Sequence, residues 1–293
     1  AETEPRAAQA RAALTLGLRD YFTKTGFEEA VIGLSGGIDS SVAAALAVAA
    51  LGADNVYAVS LPSEVTSEQS VADARAVATN LSVEFDVVPI GPMVESIAGT
   101  LDANDASLTG VAAENVQARV RGTVLMGIAN QRDALVLTPD NKSEAAVGYC
   151  TLYGDAVGAL APLGDCYKRL VYELADAFNE TLSSAESSPV IPTTVIEKEP
   201  SAELRSGQTD EEELPAYEVL DPILERYIEE GRPTRSLREG YPDHAVDEAL
   251  RRTTNAEFKR RQTPPPLRIT RKALGRGWNY PIAAAYDHVL DSR

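Results

Sequence analysis

The sequence predicts an α/β protein built on a doubly wound parallel sheet of about five strands, with helices on both faces and a helical C-terminal extension. Short apolar runs alternate with alanine-rich or amphipathic stretches of helical length through the first two thirds of the chain. The first such run, Ala30-Val31-Ile32-Gly33-Leu34, ends on a Gly-Gly pair that opens a helix. Beyond residue 200 the style changes to an acidic, turn-rich segment and then to helical patterns without strands.

Taken in order, residues 1–20 carry an arginine-containing amphipathic pattern, so 1–27 is expected to be an N-terminal helix and not an export signal. Residues 28–34 read as a buried strand, and 39–51, alanine-rich and closed by Gly52, as a helix with a C-terminal stop. Strand 55–61, helix 67–81 and strand 83–90 repeat the unit. A helix at 113–130 leads to a fourth strand at 134–137, which ends at Thr138-Pro139-Asp140. Residues 167–179 form an amphipathic helix, 183–188 a polar linker, and the apolar run 190–196 the fifth strand. The acidic stretch 206–215 reads as a mobile loop, and helices at 217–230 and 244–261 precede Pro264-Pro265-Pro266. All 293 residues are expected to form one domain, divided into the helix 1–27, a core 28–200, a mobile loop 201–216 and C-terminal helices with a basic tail, 217–293.

Composition narrows the function classes. Hydrophobic residues make up 44% of the chain, yet no apolar run is long enough for a membrane span, so a soluble cytoplasmic protein is expected. Forty-four acidic against 27 basic residues give a formal charge of −17, and only six of the cations are lysines. That balance predicts a halophilic source and argues against nucleic acid as the main partner. One block departs from it. Between Arg251 and Arg276 there are nine basic residues and a single acidic one, Glu257, which suits either phosphate groups or acidic neighbours. Cys150 and Cys166 are spaced like neither a CxxC pair nor a zinc cluster, and His244 and His288 lack nearby ligands, so reduced thiols and no metal site on histidine are expected.

The chemistry is carried by Gly33-Leu34-Ser35-Gly36-Gly37-Ile38-Asp39-Ser40-Ser41, placed where a strand ends and a helix begins. Backbone N–H groups and the helix dipole favour an anion there, the glycines allow close approach, and the serines offer hydroxyls. Asp39 is suited to a magnesium ion on a phosphate. Without the lysine of GxxxxGK[ST] this is not a Walker A loop. It resembles the SGGxDS signature of the ATP pyrophosphatase superfamily, whose members cleave ATP between the α and β phosphates.

Further motifs narrow the resemblance. Glu114-Asn115-Val116-Gln117-Ala118-Arg119-Val120-Arg121, Asn141-Lys142-Ser143-Glu144, Thr151-Leu152-Tyr153-Gly154-Asp155, Pro162-Leu163-Gly164-Asp165-Cys166-Tyr167-Lys168, the stretch from Glu197 to Asp210 and Phe258-Lys259-Arg260-Arg261-Gln262 together resemble NAD synthetase in order and spacing. The resemblance implies a ligase that adenylates the nicotinate carboxylate of deamido-NAD with ATP and displaces AMP with ammonia, using no covalent protein nucleophile. It implies ATP binding by Gly33, Leu34, Ser35, Gly36, Gly37, Ile38, Asp39, Ser40, Lys168, Ser201 and the position of Pro139. Magnesium falls to Asp39 and Glu144, and deamido-NAD to Arg119, Phe258, Lys259 and the positions of Leu152 and Ala159. Three of these depart from the family pattern. Pro139 stands where a threonine contacts ATP, moving that contact to Thr138 or removing it. Ala159 stands for a substrate-contacting aspartate, and Leu152 for a lysine of the shorter bacterial enzymes. Taken singly, a Glu144–Lys168 ion pair or a helix cap at Ser201 explains the same residues.

The resemblance further implies a homodimer. About thirty residues precede the first strand, too few for the nitrilase-like domain of glutamine-using members, so free ammonia is expected, with a separate glutaminase partner as the other route. Two rival readings remain at this point, another SGGxDS pyrophosphatase with a different substrate and a non-catalytic nucleotide-binding module.

Overall fold

The computed structural model describes residues 6–182, 189–205 and 207–283; the linker at 183–188, Ser206 at the head of the acidic loop, His288 and the two chain ends lie outside the described residues. The chain opens with α1 (Arg6–Thr25), in which Ala10, Leu14, Leu18 and Phe22 recur at every fourth position and are all buried. Burying each of the three larger side chains is worth roughly 1.5–3 kcal/mol, which is what docks the helix. Then follow β1 (Ala30–Gly33), α2 (Ile38–Leu51), β2 (Val56–Ser60), α3 (Glu68–Asn80) and β3 (Glu84–Val87). Helices α4 (Gly91–Asp102) and α5 (Val111–Arg132) lead to β4 (Leu135–Leu137), α6 (Lys142–Val147), α7 (Lys168–Leu182) and the single turn α8 (Thr193–Ile196).

The four strands are parallel in the order β3-β2-β1-β4, with Ile32 of β1 paired to Ala58 on one side and Leu137 on the other. Alternation along β1 sends Ala30 and Ile32 into a core with α1, α2, α3 and α7, and Val31 into a second core with Val120 and Ala129 of α5. A sheet covered on both faces explains why β1 and β2 read as unbroken apolar runs. The order reverses between β1 and β4, so the C-terminal ends of these strands flank the crevice where ligands bind in open α/β sheets.

The fifth strand does not form. Val190, Ile191 and Val195 are buried as their hydrophobicity demands. Pro192 has no N–H to give to a ladder, however, and the main chain of Ile191 is bonded on both sides by the Asn179 side chain, at 2.8 and 2.9 Å. Residues 193–196 then turn helical as α8. The outer edge of β4 is met instead by the backbone of Ala159 and Leu160.

The C-terminal extension is helical, as expected. It comprises α9 (Tyr217–Leu224), continued by a π turn over Glu225–Glu229, then α10 (Thr234–Arg238), α11 (Asp243–Asn255) and α12 (Glu257–Arg260). Leu220, Ile223, Leu224, Val246 and Leu250 join Ala146 and Val147 of α6 in a third core, so the extension is packed directly behind α6. No helix among the described residues is long and apolar enough to cross a membrane.

Candidate active site

At the end of β1 the chain turns through Ser35, Gly36 and Gly37 into α2. Gly36 has φ 81°, and a Cβ there would sit 2.2 Å from the Ser70 carbonyl oxygen, so both its conformation and its contact with α3 demand glycine. The loop is braced by its own serines. Ser40 Oγ accepts from Ser35 N–H at 3.2 Å, and Ser41 Oγ donates to Gly37 O at 2.8 Å. Gly37 gives α2 no side-chain cap, and the start of this helix lines a cavity of about 240 Å³. Gly33, Leu34, Ser35, Gly37, Ile38, Asp39 and Ser40 line that cavity; Gly36 supplies the turn without reaching it.

Three elements bring charge to the cavity. Asp39 is in the first turn of α2, Glu144 in that of α6, and Lys168 opens α7. The Lys168 ammonium, almost fully buried, lies 2.6 Å from Asp39 Oδ2 and 3.0 Å from Glu144 Oε1. Burial pulls its pKa down, but the two carboxylates outweigh that and the net shift is upward. Burial dominates at Glu144, where it raises the pKa to about 7 against the pull of Lys168. Asn141 caps α6 by accepting from Glu144 N–H at 3.0 Å, and its amide donates to Asp39 Oδ1 at 2.9 Å, so one side chain aligns both carboxylates. The Glu144–Lys168 ion pair expected as the structural alternative is therefore present, but inside the cavity and shared with Asp39.

Three more site residues receive no role from the sequence: Asp221 lies outside every motif, and Asp210 and Lys198 sit in the Glu197–Asp210 stretch. Asp221 on α9 accepts from the Ser143 hydroxyl and, at 2.9 Å, from Arg169 N–H, while Ser143 Oγ accepts from Lys168 N–H at 2.9 Å. One buried carboxylate thus clamps the start of α7 to α6 and sets the approach of Lys168 to Glu144. Asp210 belongs to the acidic stretch read as a mobile loop, yet it is buried in the cavity wall. Tyr217 donates to its Oδ2 at 2.8 Å, and its Oδ1 has no hydrogen-bond partner. Lys198 pairs with Glu203 at 2.8 Å and donates to Ser70 Oγ at 2.6 Å, joining α3 to the cavity rim.

The other resembled positions divide. Ser201 lines the cavity, but no helix follows it; its hydroxyl donates to Gln208 O at 2.6 Å and accepts from Glu203 N–H, closing a local turn, so the helix-cap alternative fails. Pro139 also lines the cavity. Thr138 cannot replace the missing threonine as it stands, because its buried hydroxyl is donated to Asp155 O at 2.6 Å. Arg119, Leu152, Phe258 and Lys259 lie outside the cavity lining and gather around residues 148–153. Arg119 Nε donates to Leu152 O at 3.2 Å, and Lys259 Nζ donates to Gly148 O and Cys150 O at 2.7 Å each. Phe258 and Tyr153 are exposed beside them, as an apolar border. Ala159 is apart from this group, with its N–H on Val136 O and its carbonyl accepting from Tyr21.

Much of the basic block is spent on neighbours. Arg251 and Arg252 pair with Glu248, Arg260 and Arg261 with Glu257. Both cysteines are free thiols, and His244 is exposed at the start of α11.

Asp39 and Glu144 present hard carboxylate oxygens to the cavity around the Lys168 ammonium, and the unpartnered Asp210 Oδ1 is a further oxygen of the same wall. This donor chemistry fits magnesium. Among the described residues no three Asp, Glu, His or Cys side chains form a metal cage by themselves, which suits an ion that completes its shell with water and substrate phosphates.

The chain matches the family model described as NAD synthase over residues 11–263. It belongs to the NAD synthase family. Among curated relatives it is 47% identical over 273 residues to a glutamine-dependent NAD(+) synthetase of Aquifex aeolicus, covering 92% of this chain and 47% of that one. Among solved structures, the glutamine-dependent NAD+ synthetase of Acinetobacter baumannii in complex with ADP is 42% identical with TM-score 0.65, covering 96% of this chain and 51% of the other. An NMN synthetase from Francisella tularensis is 30% identical with TM-score 0.70, covering 87% and 94%. The chain thus spans about half the length of the curated relatives it matches. Those NAD synthase relatives are glutamine-dependent, so the number of residues ahead of β1 is no guide to the nitrogen source, and the expectation of free ammonia loses the argument on which it rested.

Proposed function

We propose that this NAD synthase domain amidates the nicotinate carboxylate of deamido-NAD at the expense of ATP. The observation that carries this reading is the convergence, at the sheet's switch point, of the Ser35–Ser40 anion loop with Lys168 held between Asp39 and Glu144. A carboxylate oxygen attacks the α-phosphorus, the bond to the β-phosphate bridging oxygen breaks, and pyrophosphate leaves with that electron pair. Ammonia then adds to the acyl carbon, the bond to AMP breaks, and a proton is released. Neither step needs a protein nucleophile; the protein supplies orientation and charge.

The α2 N-terminus and the loop hydroxyls hold the departing phosphates. Asp39 and Glu144 would hold magnesium, which when bound neutralises phosphate charge. Lys168 is the cation nearest those carboxylates and stabilises negative charge as it passes to pyrophosphate. Arg119, Leu152, Phe258 and Lys259 form the deamido-NAD side, with Phe258 and Tyr153 as its apolar surface and Ala159 contributing no side-chain contact. The buried wall at Asp210 and the Arg205 pairs to Glu212 and Glu213 support a loop, 201–216, that closes over the acyl adenylate to exclude water.

The nucleophile at this site is ammonia, supplied as free ammonium or by a glutaminase. We place the domain in the cytoplasm and as a homodimer. Helix α4 has no buried residue, and Met93 and Ile97 on it and Met126 on α5 are exposed, an apolar face available to a second copy. The acidic surface supports a requirement for high salt.

One assay tests the reading. Protein, ATP, magnesium and deamido-NAD are incubated at low and high salt with ammonium or with glutamine. Formation of NAD and AMP is expected with ammonium, and Asp39→Ala should abolish it. Glutamine as the better donor would assign a glutaminase to the complete system. Amidation of nicotinate mononucleotide in place of the dinucleotide would move the substrate assignment, and no amide product under any condition would overturn the reading.

A further inference from the structure

Among the described residues, three cations line the cavity, Lys168, Lys198 and Arg121. Lys168 is shared by Asp39 and Glu144, and Lys198 is paired with Glu203. Arg121, on the inner face of α5, has no carboxylate within ion-pair distance. Its Nε donates to Leu61 O at 2.9 Å and its Nη2 to Ser63 Oγ at 3.3 Å, both in the segment that leaves β2. A guanidinium carries five N–H donors in a rigid fork, so three are left without an acceptor among the described residues. Burial of the side chain lowers its pKa from the usual arginine value, while the charges of Glu203 and Asp155 act in the opposite sense from farther away. A desolvated cation held in place by two hydrogen bonds and unpaired at its remaining edge is costly unless an anion completes it.

We propose that Arg121 is an oxyanion-binding residue of this site, whose free N–H edge takes either a phosphate oxygen of ATP or the carboxylate that becomes adenylated. This rests on the reading that the cavity activates a carboxylate with ATP. Of the two arginines in the Arg119-Val120-Arg121 motif, the structure leaves Arg119 on the exposed side near Leu152 and brings Arg121 to the cavity. The two hydrogen bonds to the Leu61–Ser63 segment fix the fork before any ligand arrives, so little rotamer freedom is lost on binding.

The test measures affinity of Arg121→Gln and of the wild type for two matched pairs of ligands, ATP with adenosine and deamido-NAD with NAD. Each pair shares its body and differs in the oxyanion. Loss of one charge-assisted contact is expected to weaken one of the two ligands that carry the oxyanion about 10- to 100-fold and to leave its partner, which lacks that oxyanion, unchanged. A selective loss for ATP identifies a phosphate as the oxyanion, and a selective loss for deamido-NAD identifies the carboxylate. Equal losses within both pairs would mean that Arg121 only braces the Leu61–Ser63 segment, and no loss in either would mean that it faces no anion; each result overturns the proposal. Arg121→Lys, which keeps the charge without the fork, serves if the glutamine variant does not fold, and is expected to show a smaller loss in the same pair. Should the wild type bind ATP but form no amide product, the functional reading fails while the ATP and adenosine comparison still decides the role of Arg121.

Discussion

Lys142 and Lys168 are two buried ammonium groups, twenty-six residues apart in sequence and at the starts of α6 and α7, and their surroundings are built from the same parts. Each is between two carboxylates and against a tyrosine ring, Tyr167 at 4.8 Å for the first and Tyr217 at 5.0 Å for the second. The difference is saturation. Lys142 meets Asp165 at 2.8 Å, Glu229 at 3.0 Å, Thr270 Oγ1 at 2.8 Å and Lys272 O at 3.0 Å, and Asp165 in turn accepts from Ile269 and Thr270 N–H. Among the described residues, the hydrogen-bond partners of the Lys168 ammonium are Asp39 and Glu144, which retain some exposure to the cavity. A completed cluster holds the segment around residue 270 against the core. An incomplete one keeps acceptor and donor capacity for a ligand. The comparison teaches that burial and pairing are common to both lysines, and that the unfilled partners of Lys168 are what separate them.

The comparison breaks most directly at Lys142. Lys142→Met leaves Asp165 and Glu229 without their cation, so a loss of about 3–5 kcal/mol is expected, read as a lower urea midpoint. An unchanged midpoint would make Lys142 dispensable to the fold. Lys168→Met should do the opposite, lowering kcat by about 10²–10³-fold with a smaller loss of stability than Lys142→Met, because its carboxylates can reach cavity water. If the two variants lose stability equally and Lys168→Met still turns over, the division between structural and functional ammonium is wrong.

A subtler effect belongs to Asp221, whose pKa burial raises to about 6 despite the hydrogen bonds from Ser143 and Arg169 N–H. Because the folded value is above the ordinary aspartate value of 3.8, the native state binds the extra proton, and this group's contribution to stability falls as pH rises from about 4 to 6. Asp221→Asn should flatten that part of the melting-temperature profile relative to wild type. It should also lower kcat more than it raises the ATP KM, since Lys168 keeps its chemistry but loses its placement. A parallel pair of profiles would show that Asp221 does not titrate as stated.

Where a requirement is local, the sequence carries it. The turn from β1 into α2 was legible because glycine at a positive φ, serines and a helix start are all local requirements, and the parallel alternation was legible because strands covered on both faces must be apolar throughout. The run 190–196 misled because burial was the only property its composition reported; Pro192 and the distant Asn179 diverted its backbone bonds from a sheet. Helix α4 passed unnoticed, having no buried residue to impose a periodic stripe. Asp210 falls in the acidic stretch expected to be a mobile loop, where its neighbours Glu211, Glu212 and Glu213 mask the one carboxylate that turns inward. Asp221 and Arg121 act through partners at least 52 residues away in sequence, and Lys198 joins its near neighbour Glu203 to the distant Ser70.

By itself, then, the sequence determined the α/β class, the glycine-serine turn at Ser35–Ser40 and the resemblance to NAD synthetase, because backbone conformation, hydrophobic period and ordered motifs are written in contiguous residues. Tertiary structure alone decided the number of strands, the sharing of Lys168 by Asp39 and Glu144, the inward turn of Asp210 and the unpaired edge of Arg121. Each of these depends on which acceptors remain after distant elements have packed, and that balance exists only once the chain is folded.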